Sequence, residues 1–263
     1  MSVIKARGVV IREQDTGEAG KVLTLLLKER GKATVSARGA RRQNSKIMAG
    51  AQLFTYSDFV FFQKGDFLSL TQADVIESFY GLREDYDRFC AGACLLELCD
   101  LAILENAPCD DVLWLLLKTL LALSRGKIST DYAARAFEFK FLAYMGIAPD
   151  FDSCAYCGGK INQTDGDGAS PTAANGAVLF GGGGTVCAKC AASGAGAEDI
   201  KRLMRLSREA VETAKQFSAA PVEKLFAFRE PPPDWVLAQL ERAAGIFLRT
   251  HFDYKRRLKT KEL

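Results

Sequence analysis

The sequence holds a single histidine, His251, among 263 residues. It lies in a basic C-terminal segment with no nucleophile beside it. Chemistry that needs an imidazole as base, or a pair of histidines as metal ligands, therefore finds little to work with. Long apolar runs are also missing. The most hydrophobic stretch, VLWLLLKTLLALS, is interrupted by Lys118 and is too short to span a bilayer. The first residues, MSVIKARGVVIREQ, carry Lys5, Arg7 and Arg12 where a cleavable leader needs an uninterrupted apolar core. No internal repeat is visible. The expectation is a cytoplasmic chain with no membrane partner.

Acidic residues are absent from one conspicuous stretch, ARGARRQNSK at 37–46, which carries Arg38, Arg41, Arg42 and Lys46 around a glycine. The net charge of +3 conceals the segregation to which this stretch belongs. Basic against acidic residues number 12 to 7 in residues 1–75, 7 to 13 in 76–153, and 16 to 12 in 154–263. Basic ends and an acidic middle suit a protein that offers an anion one face and another partner a different one. With 48% hydrophobic and 25% charged residues the rest is ordinary globular composition.

The first eighty residues read as strands: SVIKARGVVI, KVLTLLL, KATVSAR, LFTYSDFVFF and FLSLTQADVI, separated by turn-forming clusters. Five short strands in this span predict a small closed barrel of the OB type. From about Phe79 the period lengthens to that of a helix, with Leu82, Tyr86, Phe89, Ala93, Leu96 and Leu101 near one face. A second helix through VLWLLLKTLLALS is expected to be capped by Asp110 or Asp111, and a third through YAARAFEFKFLAYMG by Thr130 or Asp131, ending at Gly146. Periodicity is lost over 152–197. It resumes in AEDIKRLMRLSREAVETAKQF and again in DWVLAQLERAAGIFLRTHF. The expected fold is α+β multidomain, with an OB barrel at 1–78 and a helical bundle domain at 79–263 that carries an insertion at about 152–197.

That insertion contains CAYC and CAKC, placing Cys154, Cys157, Cys187 and Cys190 as two C-x-x-C knuckles. Disulfides are rare in the cytoplasm, so a metal is the natural explanation, and four thiolates make the closed tetrahedral shell of one structural Zn2+. Binding energies of about 10 to 16 kcal/mol in finger peptides are ample to order a glycine-rich loop. Gly158 and Gly159 permit the tight turn after the first knuckle. The alternative is four reduced thiols in an irregular insert. Cys90, Cys94, Cys99 and Cys109 sit among Ala and Leu and are expected to pack as small hydrophobes.

The stretch ARGARRQNSK falls between the third and fourth strands, so it is a surface loop free to project guanidinium groups towards phosphate. Barrels of this kind bind single strands by pairing a basic groove with stacking aromatics. The fourth strand offers Phe54, Tyr56, Phe59, Phe61 and Phe62, of which one set must face inward. Tyr56 is the expected exposed platform, because its hydroxyl tolerates water. A second basic cluster, Lys255, Arg256 and Arg257, follows the last helix. With no sequence-reading element in view, recognition should rest on the nucleic-acid backbone.

Taken together, GVVIRE, SARGARRQNSK, DVIESFYGLREDYDRF, CLLELCD, FEFKFLAYMGIAPDFDSCAYCG, LFGGGGTVCAKC and FLRTHFDYKRRLKTKEL resemble, in that order, the RecO family of bacterial recombination mediators. The resemblance implies an OB-fold followed by a helical domain with a zinc finger, and a non-enzymatic role in DNA repair near the nucleoid. It implies binding of single- and double-stranded DNA, annealing of complementary strands, and action with RecR in loading RecA onto strands coated by single-stranded DNA-binding protein, whose C-terminal tail docks on the helical domain. Carried onto this chain, the DNA-contacting loop corresponds to Arg38, Arg41, Arg42 and Lys46, and the finger to Cys154, Cys157, Cys187 and Cys190. Two rival readings remain: a zinc-stabilised protein-interaction adaptor without direct DNA contact, and an enzyme with a finger cysteine as nucleophile.

Overall fold

The computed structural model describes residues 2–161, 178–181, 183–193, 203–227 and 231–252. Five strands form the N-terminal part: β1 (Ser2–Thr16), β2 (Gly20–Leu27), β3 (Gly31–Ala37), β4 (Tyr56–Lys64) and β5 (Phe67–Glu77). They close in the order β1-β2-β3-β5-β4, with all pairs antiparallel except a short parallel contact of Val35 with Leu68 and Ser36 with Ser69. This is the OB barrel that the alternating apolar residues predict. Val10, Leu23, Leu25, Val35, Phe59 and Phe61 fill its interior. Each large side chain taken fully out of water there contributes roughly 1.5–3 kcal/mol.

β1 departs from simple alternation, since Gly8, Val9, Val10 and Ile11 are all buried. A bulge between Val10 and Arg12 shifts its register against β2, and helix α1 (Tyr86–Ala102) packs on its outer face. Helix α2 (Asp110–Arg125) packs against α1 and β2. Gly31 shows how close the approach is: its φ is +74°, and a Cβ there would lie 1.9 Å from the carbonyl oxygen of Ala107. The first compact unit therefore runs to Lys127, taking in α1 and α2, while the change from strand to helix falls near residue 79.

The second unit begins at Ile128. Its central helix α3 (Thr130–Tyr144) is buried almost all round, from Tyr132 to Leu142. Around it pack α5 (Arg208–Ala219) and α6 (Asp234–Phe252). Burial on every side explains why FEFKF carries charges inside: Arg135 pairs with Glu138 at 2.9 Å, and the Lys140 ammonium donates to the Ser218 carbonyl at 2.9 Å. A small sheet in the order β7-β6-β8, from β6 (Val178–Gly181), β7 (Gly184–Val186) and β8 (Met204–Leu206), accompanies the short helix α4 (Ala188–Ala192).

Three local expectations are corrected. The α3 cap is Ser129, whose hydroxyl accepts from the Tyr132 amide at 3.2 Å, one residue before the expected Thr130 or Asp131. Cys109 occupies the α2 cap, leaving Asp110 and Asp111 in the first turn, where the helix dipole favours them. Asp110 caps something else, accepting from the Glu29 amide at 2.7 Å. Met204–Leu206, read as helix, is a strand paired with β6, and α5 starts only after Ser207, whose hydroxyl accepts from the Ala210 amide.

Candidate nucleic-acid interface and metal centre

The basic loop leaves β3 at Ala37 and is built of consecutive turns, with the amides of Ala40, Arg42, Ser45 and Met48 bonded to carbonyls three residues back. Ala40, Ile47 and Ala51 plug into the barrel core, which makes it an anchored excursion. Gly39 answers for the glycine between the first two arginines: its φ is +75°, a conformation that L side chains rarely adopt. Held this way, Arg38, Arg41, Arg42 and Lys46 are all exposed. Arg41 lies 3.4 Å from Asp15, and its amide donates to the Ala19 carbonyl, which ties the loop to the β1–β2 hairpin. Arg38, Arg42 and Lys46 make no ion pair among the described residues. Three uncompensated cations on a fixed loop suit phosphate, and arginine tolerates the partial desolvation that contact brings.

Within β4 the aromatics divide as alternation requires; Phe54, which precedes the strand and has the parity of Tyr56, is buried all the same. Phe54, Phe59 and Phe61 are core, with Phe59 and Phe61 stacked at 5.8 Å and Phe54 edge-on to Phe89 at 5.4 Å. Tyr56 and Phe62 lie on the outer side, half-buried. Tyr56, however, is not beside the loop. It pairs with Val9 of β1, whereas the loop is tied to Asp15, six residues and roughly 20 Å further along the strand. Burial pushes the Tyr56 phenol up, against the opposing pull of Arg7. Arg7 itself grips Asp58 in two hydrogen bonds of 2.8 and 3.0 Å, and this guanidinium holds the Asp58 carboxyl below its ordinary value.

Sequence reasoning missed what surrounds that pair. A groove of about 1040 Å³ is lined by Lys5, Arg7, Lys28, Arg30, Asp58 and Asp74, among others. The alternation of Lys5 and Arg7 on one strand face was the available signal. The second basic cluster, Lys255, Arg256 and Arg257, lies outside the described residues.

In the second unit the two knuckles converge. Cys154, Cys157, Cys187 and Cys190 place their sulfurs within 4.8 Å of one another, and Cys157 Sγ and Cys187 Sγ are 3.8 Å apart. A tetrahedron with metal–sulfur bonds of about 2.3 Å has edges of about 3.8 Å. The first knuckle turns through Gly158, at φ +68°, whose amide donates to the Cys154 carbonyl. Burial alone would raise the Cys154 thiol, but the amides of Cys187, Cys157 and Tyr156 together outweigh it and hold the group down to about 6. Cys190 is pushed up to about 12 by the Cys187 and Cys157 sulfurs. Four sulfurs this close resist ionising together without a cation, and a metal ion supplies one. The donor set fits. Next to it, Phe180 of β6 lies between Phe151 and Phe247, at 5.7 and 5.9 Å, and joins the centre to the helices of its unit. Lys215 of α5 pairs with Asp152 just before the first knuckle.

Of the other cysteines three pack in the core as expected, while Cys109, at the α2 cap, is only half-buried. Cys90, Cys94 and Cys99 are buried, and burial drives the Cys99 thiol far upward. His251 stacks on Phe247 at 4.1 Å, with Nδ1 2.9 Å from the Phe247 carbonyl oxygen. Among the described residues no helix is long and apolar enough to cross a membrane.

An OB barrel with an exposed cationic loop, followed by a helical unit that carries a four-cysteine cluster able to hold a metal ion, defines the class of this two-unit protein. The particular family follows from comparison. Residues 1–79 match the family model for the Recombination protein O N terminal part, and residues 83–261 the one for its C terminal part. The chain is 32% identical to the DNA repair protein RecO of Symbiobacterium thermophilum over 265 residues, covering 100% of this chain and 96% of that protein. It is 29% identical to the protein of the same name from Desulforamulus reducens over 264 residues, or 100% and 94% of the two chains. A third, from Acetivibrio thermocellus, is 40% identical over 161 residues, which are 61% of this chain and 64% of that protein. The chain belongs to the RecO family of DNA repair proteins.

Proposed function

We propose that this chain is a DNA-binding recombination mediator that acts by binding alone, in the bacterial cytoplasm at the nucleoid. The observation that carries the reading is the anchored loop with three exposed, unpaired cations, in a family whose relatives are named for DNA repair. Arg38, Arg42 and Lys46 take successive phosphates of a single or double strand, and Arg41 joins them by exchanging Asp15 for phosphate. The work is done by counterion release, each neutralised phosphate returning condensed cations to solution. Binding of this kind is indifferent to sequence, as annealing of arbitrary complementary strands requires.

One zinc ion held by Cys154, Cys157, Cys187 and Cys190 keeps the second unit's small sheet folded. With every coordination position filled by sulfur it offers no place for substrate, so its contribution is structural. The helical part is the natural platform for proteins: RecR, and the C-terminal tail of the single-stranded DNA-binding protein, in the loading of RecA.

The decisive experiment is the affinity of the full, zinc-loaded chain for a fluorescent single-stranded oligonucleotide across a salt series. Three free cations give a slope of log K against log salt of roughly −2, and four give roughly −3. Arg38→Glu with Arg42→Glu should weaken binding and flatten that slope while the fold persists. Absence of binding by the wild-type chain at low salt would overturn the reading in favour of a protein-interaction adaptor.

A further inference from the structure

The cationic loop accounts for one end of the barrel only. It is fastened at Asp15 and Ala19, by the β1–β2 hairpin. The groove lined by Lys5, Arg7, Lys28 and Arg30 is at the other end of β1, where the Lys28 amide donates to the Arg7 carbonyl at 2.8 Å and Arg7 pairs across to Asp58 of β4. Between Arg7 and Asp15 the strand runs roughly 25 Å. The two clusters thus lie on different stretches of β1, on either side of the bulge between Val10 and Arg12.

The groove is mixed in charge, but most of its acids are engaged. Asp58 accepts both bonds of Arg7, Glu29 lies 3.3 Å from Lys28, and Asp74 accepts from the Gln72 amide at 2.6 Å. Lys5 and Arg30 are exposed and make no ion pair among the described residues. The cations come from two segments, Lys5 and Arg7 on β1 and Lys28 and Arg30 on the turn after β2, and several separate charges suit a chain of phosphates. The same outer face of β1 and β4 carries surfaces for flat apolar groups. Tyr56 stands at one end, and the cross-strand neighbours Val3 and Phe62 at the other, with Lys5 and Arg7 between. A pair of cations flanked by an aromatic at either end can serve a single strand of nucleic acid, with phosphates on the former and stacked bases on the latter.

We infer that this groove is a second strand-binding site, separate from the loop, and that the barrel holds two strands at once, one at each end of β1. The inference rests on the DNA-binding reading above. It assigns Tyr56 to the groove strand. It also gives annealing a physical basis, since two strands kept on one barrel meet at a far higher effective concentration than two strands free in solution.

The test uses the full chain and two non-complementary oligonucleotides, one carrying a donor fluorophore and the other an acceptor, at one chain per strand pair. Wild type should bind the first strand and then show energy transfer when the second is added. Lys5→Glu with Arg30→Glu should keep first-strand affinity within about twofold, while energy transfer and the annealing rate of complementary strands fall by about tenfold or more. Lys5→Gln with Arg30→Gln should show the same pattern more weakly. Undiminished transfer and annealing in the charge-reversed variant would overturn the inference. So would a loss of first-strand affinity equal to that of the loop variant, because the two surfaces would then be one site. A wild type that binds one strand and never two defeats the second site and leaves the DNA-binding reading intact; a wild type that binds none defeats both.

Discussion

Gly39 sits at φ +75° between two exposed arginines, and its replacement tests whether the loop's shape matters as well as its charge. Gly39→Val should cost about 1–3 kcal/mol of first-unit stability in urea denaturation, whereas Gly39→Asn, a residue that tolerates the left-handed region, should cost much less. At Phe61, fully buried in the barrel, truncation to alanine should cost about 3–5 kcal/mol by the same measurement. Asp58 offers a pH test. Its folded value is depressed by Arg7, so the pair's contribution is present above the unfolded value of about 3.9 and is lost as pH falls through the lower folded value. NMR titration should find the Asp58 carboxyl below its reference and returned towards it in Arg7→Ala. Sequence revealed the glycine and the four cations but not that Arg41 is engaged, because Asp15 lies 26 positions away and meets it only through the hairpin.

The centre of the second unit shows what an element gains from its neighbours. Met204–Leu206 has the spacing of a helix, yet pairing with β6 makes it a strand, a tertiary contact overriding local propensity. That sheet is held on one side by the knuckles and on the other by Phe180 between Phe151 and Phe247. Stripping the metal with a chelator should therefore raise amide exchange in β6, β7 and the first knuckle sharply, and Phe180→Ala should do so partly even with metal present. Unaltered exchange after chelation would remove the metal from any structural role. The helices were more legible than the finger, because a run such as DWVLAQLERAAGIFLRTHF carries its own period and is helical from Asp234 to Phe252. Its caps were less so: Ser129 preceded two equally good candidates, and the choice among neighbours depends on where the chain enters the helix.

For the molecule as a whole, α1 and α2 belong with the barrel in one compact unit, and α3 to α6 with the four-cysteine cluster in the other. Chelation should accordingly lower the thermal stability of the second unit while amides of the barrel core, such as Leu25 and Phe61, keep their protection. A uniform loss across both would mean that they unfold as one. The sequence by itself determined the barrel, through alternation of apolar residues in five short runs. It determined the long helices, although the buried face of α1 runs through Cys90, Cys94, Leu95 and Leu98 and leaves the expected Tyr86 and Leu101 exposed. It picked out the four converging cysteines through the two C-x-x-C spacings, because each of these signals lies within a few residues of chain. The tertiary structure alone decided which charges are free, that Tyr56 stands with Arg7 and away from the basic loop, and that Lys5, Arg7, Lys28 and Arg30 line one groove. Those facts depend on strand register and barrel closure, which bring residues far apart in sequence to one face, and no local pattern encodes that meeting.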